Sequence, residues 1–104
     1  MPTPLVPFHK ILDATIAYEK AIAKNHPPPY GEGLGRLKSA IAIAAEELGT
    51  DIYSIRRRVN IAKALGVMVS GFPKIPDDEI RIIRERYLSK SEEYNDWLLN
   101  RDAT

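Results

Sequence analysis

The chain has 104 residues, 44% hydrophobic and 28% charged, which is typical of one soluble globular domain spanning residues 1–104. The absence of cysteine excludes disulfides, thiolate metal sites and cysteine nucleophiles. No apolar run approaches the roughly 20 residues that span a bilayer, and the first residues show no signal-peptide pattern. We therefore expect a cytoplasmic protein that has no membrane partner.

The net charge of +1 is unevenly distributed along the chain. Residues 36–76 carry seven basic and three acidic side chains, a net charge of +4. Residues 77–104 carry five basic and eight acidic side chains, a net charge of −3, and the charges of residues 1–35 cancel. A basic middle segment favours a polyanionic partner.

The N-terminal third predicts one helix between two irregular segments. Prolines make residues 1–7 an extended arm, because a proline ring restricts its own residue and the one before it. Apolar side chains at spacings of three and four then predict an amphipathic helix over 9–25. Three prolines followed by three glycines end it and predict a loop over 26–35.

The middle of the chain predicts two helices joined by a short turn. An alanine-rich helix over 36–48 ends at Gly49, the residue type preferred just after a helix. Either Thr50 or Asp51 can cap the start of the next helix, which is predicted over 52–65.

The last third predicts one long helix. Gly66 ends the preceding helix, and the β-branched run 67–69 forms either a small strand or a buried extended link. Pro76 followed by three acidic residues is typical of a helix start and predicts a helix over 77–100. The predicted fold class is therefore all-α, a small bundle of about four helices.

The short turn between the two middle helices predicts a helix-turn-helix. A three-residue connection prevents the helices from lying antiparallel side by side and forces a large crossing angle. Ala45 lies four residues before Gly49, where only a methyl group fits between crossing helices. Ile55 and Val59 face back toward this crossing.

The opposite face of the helix 52–65 carries side chains suited to reading DNA bases. Basic, amide and aromatic groups recur there at Tyr53, Arg56, Arg57 and Asn60, which are predicted to face the major groove. Further residues predicted to hold phosphates are Arg36, Lys38, Lys63, Thr50 and Ser54.

The same segment resembles the helix-turn-helix of Fis-like bacterial DNA-binding proteins and of phage regulators. The residues that carry the resemblance are Ala45, Gly49, Ser54, Ile55, Arg56, Arg57, Arg58 and Val59. Thr50 stands where that family usually has an aliphatic residue. The resemblance covers about 25 residues and implies a bacterial or phage transcription regulator that binds double-stranded DNA sequence-specifically.

Three other interpretations of this segment remain open. The two helices could form an αα-hairpin that serves packing alone, with the arginine triplet as a solvated face and Arg58 paired to Glu46 or Glu47. The motif could be the DNA-recognition module of a phage packaging, replication or recombination assembly. It could also belong to a protein-interaction domain that does not bind DNA.

Other chemistry is not indicated by the sequence. The glycine-rich stretch 31–35 lacks the lysine and hydroxyl residue of a phosphate-binding loop. His9 and His26 are too few for a metal site. We expect no enzymatic activity, no metal, no cofactor and no small-molecule substrate.

The C-terminal helix carries an apolar stripe that has two interpretations. Its members approximate a heptad repeat: Ile80, Ile83, Tyr87, Tyr94 and Trp97. The stripe packs either on its own chain or partly on a second copy. Because the far end adds Leu98 and Leu99, we predict a homodimer through this helix.

Overall fold

The structure, a computed structural model, describes residues 5–26, 38–67, 69, 71 and 74–102. The described residues form five helices: α1 (Phe8–Ala23), α2 (Ala40–Leu48), α3 (Ile52–Ala64), α4 (Asp77–Lys90) and α5 (Glu92–Asp102). No strand occurs within those ranges. The predicted class, an all-α helical bundle, is confirmed, with five helices in place of about four.

The helix α1 ends two residues earlier than the predicted 9–25. Asn25 adopts a left-handed conformation with φ of 70°. The N–H of His26 donates to the Ala21 carbonyl at 3.1 Å, and that of Asn25 donates to the Ile22 carbonyl at 3.0 Å. This pair of bonds satisfies carbonyls that the end of the helix leaves open.

The helix α2 begins at Ala40, so the prediction of a helix from 36 was wrong at residues 38–39. Lys38 and Ser39 are not helical, because the Ser39 hydroxyl accepts the N–H of Ala42 at 3.2 Å and caps the helix. Arg36 lies outside the described residues, as do residues 1–4 of the predicted arm and residues 27–35 of the predicted loop.

The end of α3 in the structure agrees closely with the end predicted from the sequence. Gly66 has φ of 91°, and the helix ends at Ala64, one residue before the predicted end. Val67 and Val69 belong to no strand and are half-buried. Val69 packs against both apolar clusters of the protein, which makes this segment a partly buried connection.

The prediction of one helix over 77–100 was wrong, because the chain leaves the helix at Ser91. Ser91 has φ of −111° and ψ of 106°, and its hydroxyl accepts the N–H of Tyr94 at 3.2 Å. The side-chain amide of Asn95 donates to the carbonyls of Leu88 and Ser91, both at 3.0 Å. Together these bonds satisfy backbone groups on both sides of the break and allow α5 to change direction.

The change of direction brings the far end of the C-terminal segment onto α1. The ring of Phe8 lies 5.3 Å from that of Tyr94 and 5.5 Å from that of Trp97, measured between centroids. Tyr94 is buried, and Trp97 and Leu98 are half-buried against the same cluster. A straight helix of 24 residues would be about 36 Å long and would carry these rings away from Phe8.

This packing corrects the premise of the predicted homodimer. We expected four apolar side chains at the far end to need a second copy to cover them. Tyr94 is instead buried by its own chain and Trp97 and Leu98 are partly buried by it, whereas Leu99 is 69% exposed.

Two apolar clusters hold the five helices together. The alanine cluster joins α1, α2 and α3 and consists of Ala14, Ala17, Tyr18, Ala21, Ala40, Ile41, Ala44, Ala45, Ile55 and Val59. The aromatic cluster joins α1 and α3 to the two C-terminal helices and consists of Phe8, Ile11, Ile61, Ala62, Leu65, Tyr87 and Tyr94. α3 therefore lies between the two clusters and contributes to both.

Candidate nucleic-acid interface

The turn between α2 and α3 has the predicted length and a glycine in the predicted role. Gly49 adopts the left-handed conformation, with φ of 65° and ψ of 37°. Its N–H donates to the Glu46 carbonyl at 3.3 Å, and the N–H of Thr50 donates to the Ala45 carbonyl at 3.0 Å. A residue with a side chain is strained in this conformation, so glycine suits the position.

The inner face of the motif is apolar and closely packed. Ala45, Ile55 and Val59 are each at most 3% exposed and belong to the alanine cluster. The sequence placed these three residues between the two helices, and the structure packs them together there. This contact fixes α3 against α2 and leaves the face with Tyr53, Arg56 and Arg57 exposed to solvent.

The outer face of α3 presents the four residues predicted to face a DNA groove. Tyr53 is 80% exposed, Arg56 and Arg57 are exposed, and Asn60 is half-buried. Within the described part of the chain, none of the four side chains makes a hydrogen bond or an ion pair with another residue. Their polar groups are therefore available to an external ligand.

The start of α3 is occupied by an intramolecular cap. Asp51, the second of the two candidate caps, accepts the N–H of Ser54 at 2.7 Å and its hydroxyl at 3.2 Å. These two hydrogen bonds hold the pKa of Asp51 below its usual value. Ser54, predicted to hold a phosphate, is thus committed to Asp51, and the half-buried Thr50 lies beside a carboxylate.

Lys38 and Lys63, which were also predicted to contact phosphates, take no part in that cap. The ammonium of Lys38 is exposed and forms an ion pair with Glu46. The backbone carbonyl of Lys38 also hydrogen-bonds the Nδ1 atom of His26 at 2.9 Å. Lys63 is half-buried in the last turn of α3.

The anticipated ion pair of Arg58 with Glu46 or Glu47 was wrong. Glu46 pairs with Lys38, and Glu47 lies 3.9 Å from the ammonium of Lys20. Arg58 is half-buried, in contrast to the exposed Arg56 and Arg57. The arginine triplet is therefore divided between two environments.

The C-terminal end of α3 is held by side chains from the two C-terminal helices. The guanidinium Nε of Arg84 donates to the Ala64 carbonyl at 2.7 Å, and the hydroxyl of Tyr94 donates to the Leu65 carbonyl at 3.1 Å. These donors satisfy carbonyls at the negative end of the helix dipole. α4 and α5 thus fix the orientation of the helix that carries the candidate interface.

Arg86 of α4 lines the same groove as Arg57, which was not predicted from the sequence. The net charge of −3 over residues 77–104 concealed it, because the charges were summed over the segment and not over its faces. The sequence did contain one signal. Ile83 and Tyr87 are four residues apart and so lie on the packed side of α4, and Arg86 directly precedes Tyr87.

Within the described ranges, no group of three His, Cys, Asp or Glu side chains is arranged to bind a metal ion. None of the described helices combines the length and the apolar character needed to cross a membrane. No protein-family model matches the chain, and no curated protein or solved structure gives a significant match to it.

Proposed function

We propose that the chain binds double-stranded DNA through α2, the turn and α3, with α3 lying in the major groove. The observation that carries this proposal is the outer face of α3, where Tyr53, Arg56 and Arg57 are exposed, Asn60 is half-buried, and none of the four belongs to an apolar cluster. Arginine and asparagine match the hydrogen-bonding groups on guanine and adenine in the major groove. The inner face packs as a helix-turn-helix requires.

The biological role that fits this proposal is that of a sequence-specific regulator of the Fis-like or phage type, acting in the cytoplasm. The resemblance in sequence supports it through Ala45, Gly49, Ile55 and Val59, whose burial or backbone conformation agrees with the roles the motif implies. A recognition module within a phage packaging, replication or recombination assembly would use the same face. The two roles differ in whether DNA binding requires other subunits.

A specific observation favours a second candidate, a protein-interaction surface. Leu48, Ile52 and Tyr53 are apolar or aromatic side chains near the turn and are 38%, 45% and 80% exposed. Exposed apolar side chains that lie close together can form the centre of a protein interface. Such an interface would depend little on salt, whereas DNA binding weakens steeply as salt increases.

Homodimer formation would place two copies of α3 on two half-sites of DNA. The exposed apolar side chains of the two C-terminal helices are Ile82, Leu88 and Leu99, at 54%, 49% and 69%. Sedimentation equilibrium at micromolar concentration, with and without DNA, measures the mass directly. A monomer in both conditions would refute the dimer and leave the DNA-binding proposal standing.

The proposed function is tested by measuring binding to random and genomic duplex DNA over a series of salt concentrations. We expect salt-dependent binding, and a selected site bound more tightly than random sequence. Arg56→Ala should then weaken binding to the selected site by about 1–3 kcal/mol, with less loss on random DNA. Arg58→Ala is the matched control, since it removes the same charge from the half-buried side of α3. Absence of salt-dependent binding by the wild-type chain would refute the proposal.

A further inference from the structure

The first turn of α3 exposes two neighbouring side chains that are largely apolar. Ile52 is 45% exposed and Tyr53 is 80% exposed, and neither belongs to the alanine cluster or to the aromatic cluster. Contact with water is unfavourable for apolar groups. The exposed parts of both side chains therefore add nothing to the two cores and are available to an external ligand.

Helical spacing joins these two side chains to Arg56. Arg56 is exposed and lies four residues after Ile52 and three residues after Tyr53. Residues three and four positions apart are neighbours on the surface of a helix, so Arg56 lies beside both. The start of α3 thus presents an apolar area next to one guanidinium group.

The start of α3 is unsuited to a phosphate. The exposed carboxylate of Asp51 accepts two hydrogen bonds from Ser54, which hold the pKa of Asp51 below its usual value and keep it ionised at neutral pH. Residues 50–55 contain no basic side chain. Because the carboxylate repels the DNA backbone and occupies an N–H group that an anion would use, the first turn of α3 fits an uncharged part of the duplex.

One chemical group in the major groove matches an apolar surface. Of the four bases, only thymine presents an apolar group there, the methyl group on C5, whereas the other groups are hydrogen-bond donors and acceptors. In a helix-turn-helix, the N-terminal residues of the recognition helix contact the base edges. Ile52 and Tyr53 are the first two residues of α3.

We propose that Ile52 and Tyr53 contact thymine methyl groups in the major groove and so make the protein select sites that contain thymine. This inference rests on the proposed function and refines it, because it assigns a base to the apolar part of the outer face of α3. Arg56 is then placed to read a guanine close to that thymine. One helical turn advances about 5.4 Å and one base-pair step about 3.4 Å, so the two bases are one or two steps apart.

The test removes the thymine methyl group and no other atom of the base pair. The duplex selected from random sequence is synthesised with deoxyuridine at one thymine position at a time, which keeps every hydrogen-bonding group. We expect the wild type to bind about three- to fivefold more weakly when the sensitive thymine is replaced, since burial of one methyl-sized group contributes about a factor of four. The salt dependence of binding should not change, because no phosphate contact is lost.

Protein variants identify the side chains that make the contact. Ile52→Ala and Tyr53→Ala should both bind the selected duplex more weakly than the wild type. Each should bind the thymine and uracil duplexes equally at the position that its missing side chain contacts. Tyr53→Phe keeps the ring and should behave like the wild type, because the proposed contact does not use the hydroxyl.

Ile16→Ala is the matched control for the loss of an exposed isoleucine. Ile16 is 54% exposed on α1, outside the proposed interface, so this variant should keep both the affinity and the preference for thymine over uracil. Arg56→Ala should weaken binding but keep that preference. Circular dichroism melting of each variant establishes that it is folded.

Three outcomes would overturn the inference. The selected site could contain no thymine that is sensitive to loss of its methyl group. Ile52→Ala and Tyr53→Ala could both retain the full preference for thymine, or both could bind the selected duplex as tightly as the wild type. If the wild type still binds duplex DNA in a salt-dependent manner, these outcomes reject the thymine contact alone. If the wild type binds no duplex, the proposed function fails and this inference fails with it.

Discussion

The alanine cluster and the aromatic cluster hold the same helix, α3, by different means. Six of the ten residues that define the alanine cluster are alanines, so α1, α2 and α3 can approach closely. The aromatic cluster instead contains large rings, with Phe8 against Tyr94 and Trp97, and Tyr87 edge-on to Tyr94 at 6.1 Å.

The two clusters also differ in their polar connections to the backbone. In the aromatic cluster, the hydroxyls of Tyr87 and Tyr94 bond the carbonyls of Val6 and Leu65, which tie the segment before α1 and the end of α3 to the C-terminal helices. The alanine cluster sets how α1, α2 and α3 meet, because its small side chains allow these helices to approach closely. The aromatic cluster orients α1 and α3 relative to α4 and α5. This difference predicts that removing side-chain atoms lowers stability more in the aromatic cluster than in the alanine cluster. It also predicts that adding side-chain atoms lowers stability more in the alanine cluster than in the aromatic cluster.

The largest expected effect is the deletion of a ring from the aromatic cluster. Phe8→Ala should reduce the free energy of unfolding by about 3–5 kcal/mol, because Phe8 is buried and contacts two other rings. Urea denaturation measures the loss. Leu99→Ala removes a 69% exposed side chain and should change stability by less than about 0.5 kcal/mol. Similar losses in the two variants would show that the aromatic cluster is not a core.

The addition of atoms to the alanine cluster should have the next largest effect. Ala45→Leu places three extra carbon atoms between α2 and α3 and should cost about 1–3 kcal/mol of unfolding free energy. Ala23→Leu makes the same change at an exposed position in the last turn of α1 and serves as the control. A stable Ala45→Leu protein would mean that the two helices do not meet at this residue.

The tyrosines of the two clusters should differ in their response to alkaline pH. Burial, together with the nearby Glu19, raises the pKa of Tyr18 in the alanine cluster from 10.0 to about 12. Burial also raises the pKa of Tyr87 and Tyr94, but arginines near both act in the opposite direction. Because the folded-state pKa of Tyr18 exceeds the unfolded value, its contribution to stability is complete below pH 10 and is lost as pH rises toward 12.

This difference can be measured by absorbance at 295 nm during an alkaline titration. The Tyr18→Phe variant should lack the change that occurs at the highest pH, whereas Tyr87→Phe should lack one at lower pH. Stability of the wild type should decrease by roughly 1–1.5 kcal/mol between pH 9 and pH 11 from Tyr18 alone. Titration of Tyr18 below Tyr87 would contradict the assignment of these environments.

The smallest expected effect concerns the break that directs α5 onto the aromatic cluster. Ser91→Ala removes the hydroxyl that caps α5 and should cost about 1 kcal/mol in chemical denaturation. Ser89→Ala, two residues earlier, removes a hydroxyl whose one bond is to the Arg86 carbonyl within its own helix, and it should cost less. An equal effect of the two substitutions would show that the cap at Ser91 is unimportant for the break.

Local patterns in the sequence were sufficient to predict the two middle helices and the turn that joins them. Gly49 and Gly66 end their helices with positive φ, and Ala45, Ile55 and Val59 are buried, because these features depend on residues within one or two helical turns. The exposed face of α3 follows from the same periodicity. The helix α1 ends at Ala23, two residues before its predicted end, and α2 begins at Ala40, after its predicted start. These differences of a few residues arise because competing caps decide where a helix begins and ends.

The break at Ser91 was not predicted, although a serine followed by two acidic residues is a helix-start signal. The apolar stripe from Ile80 to Trp97 continues through the break and obscured it. The stripe could not indicate whether the chain itself or a second copy covers Tyr94 and Trp97, because an apolar surface does not specify what covers it. Phe8, more than 80 positions away in the sequence, packs against both rings, so the chain itself covers at least part of each.

By itself, the sequence determined the helical class, the turn at Gly49 and the set of side chains on the outer face of α3, since each is a consequence of short-range spacing. Competition among nearby partners, which spacing alone does not rank, decided that Ser54 is bonded to Asp51 and that Lys38 is paired with Glu46. Only the tertiary structure decided that Phe8 packs against Tyr94 and Trp97 and that Arg86 lines the same groove as Arg57. These last two features depend on which helix faces meet, and that is fixed when the aromatic cluster packs α4 and α5 against α1 and α3.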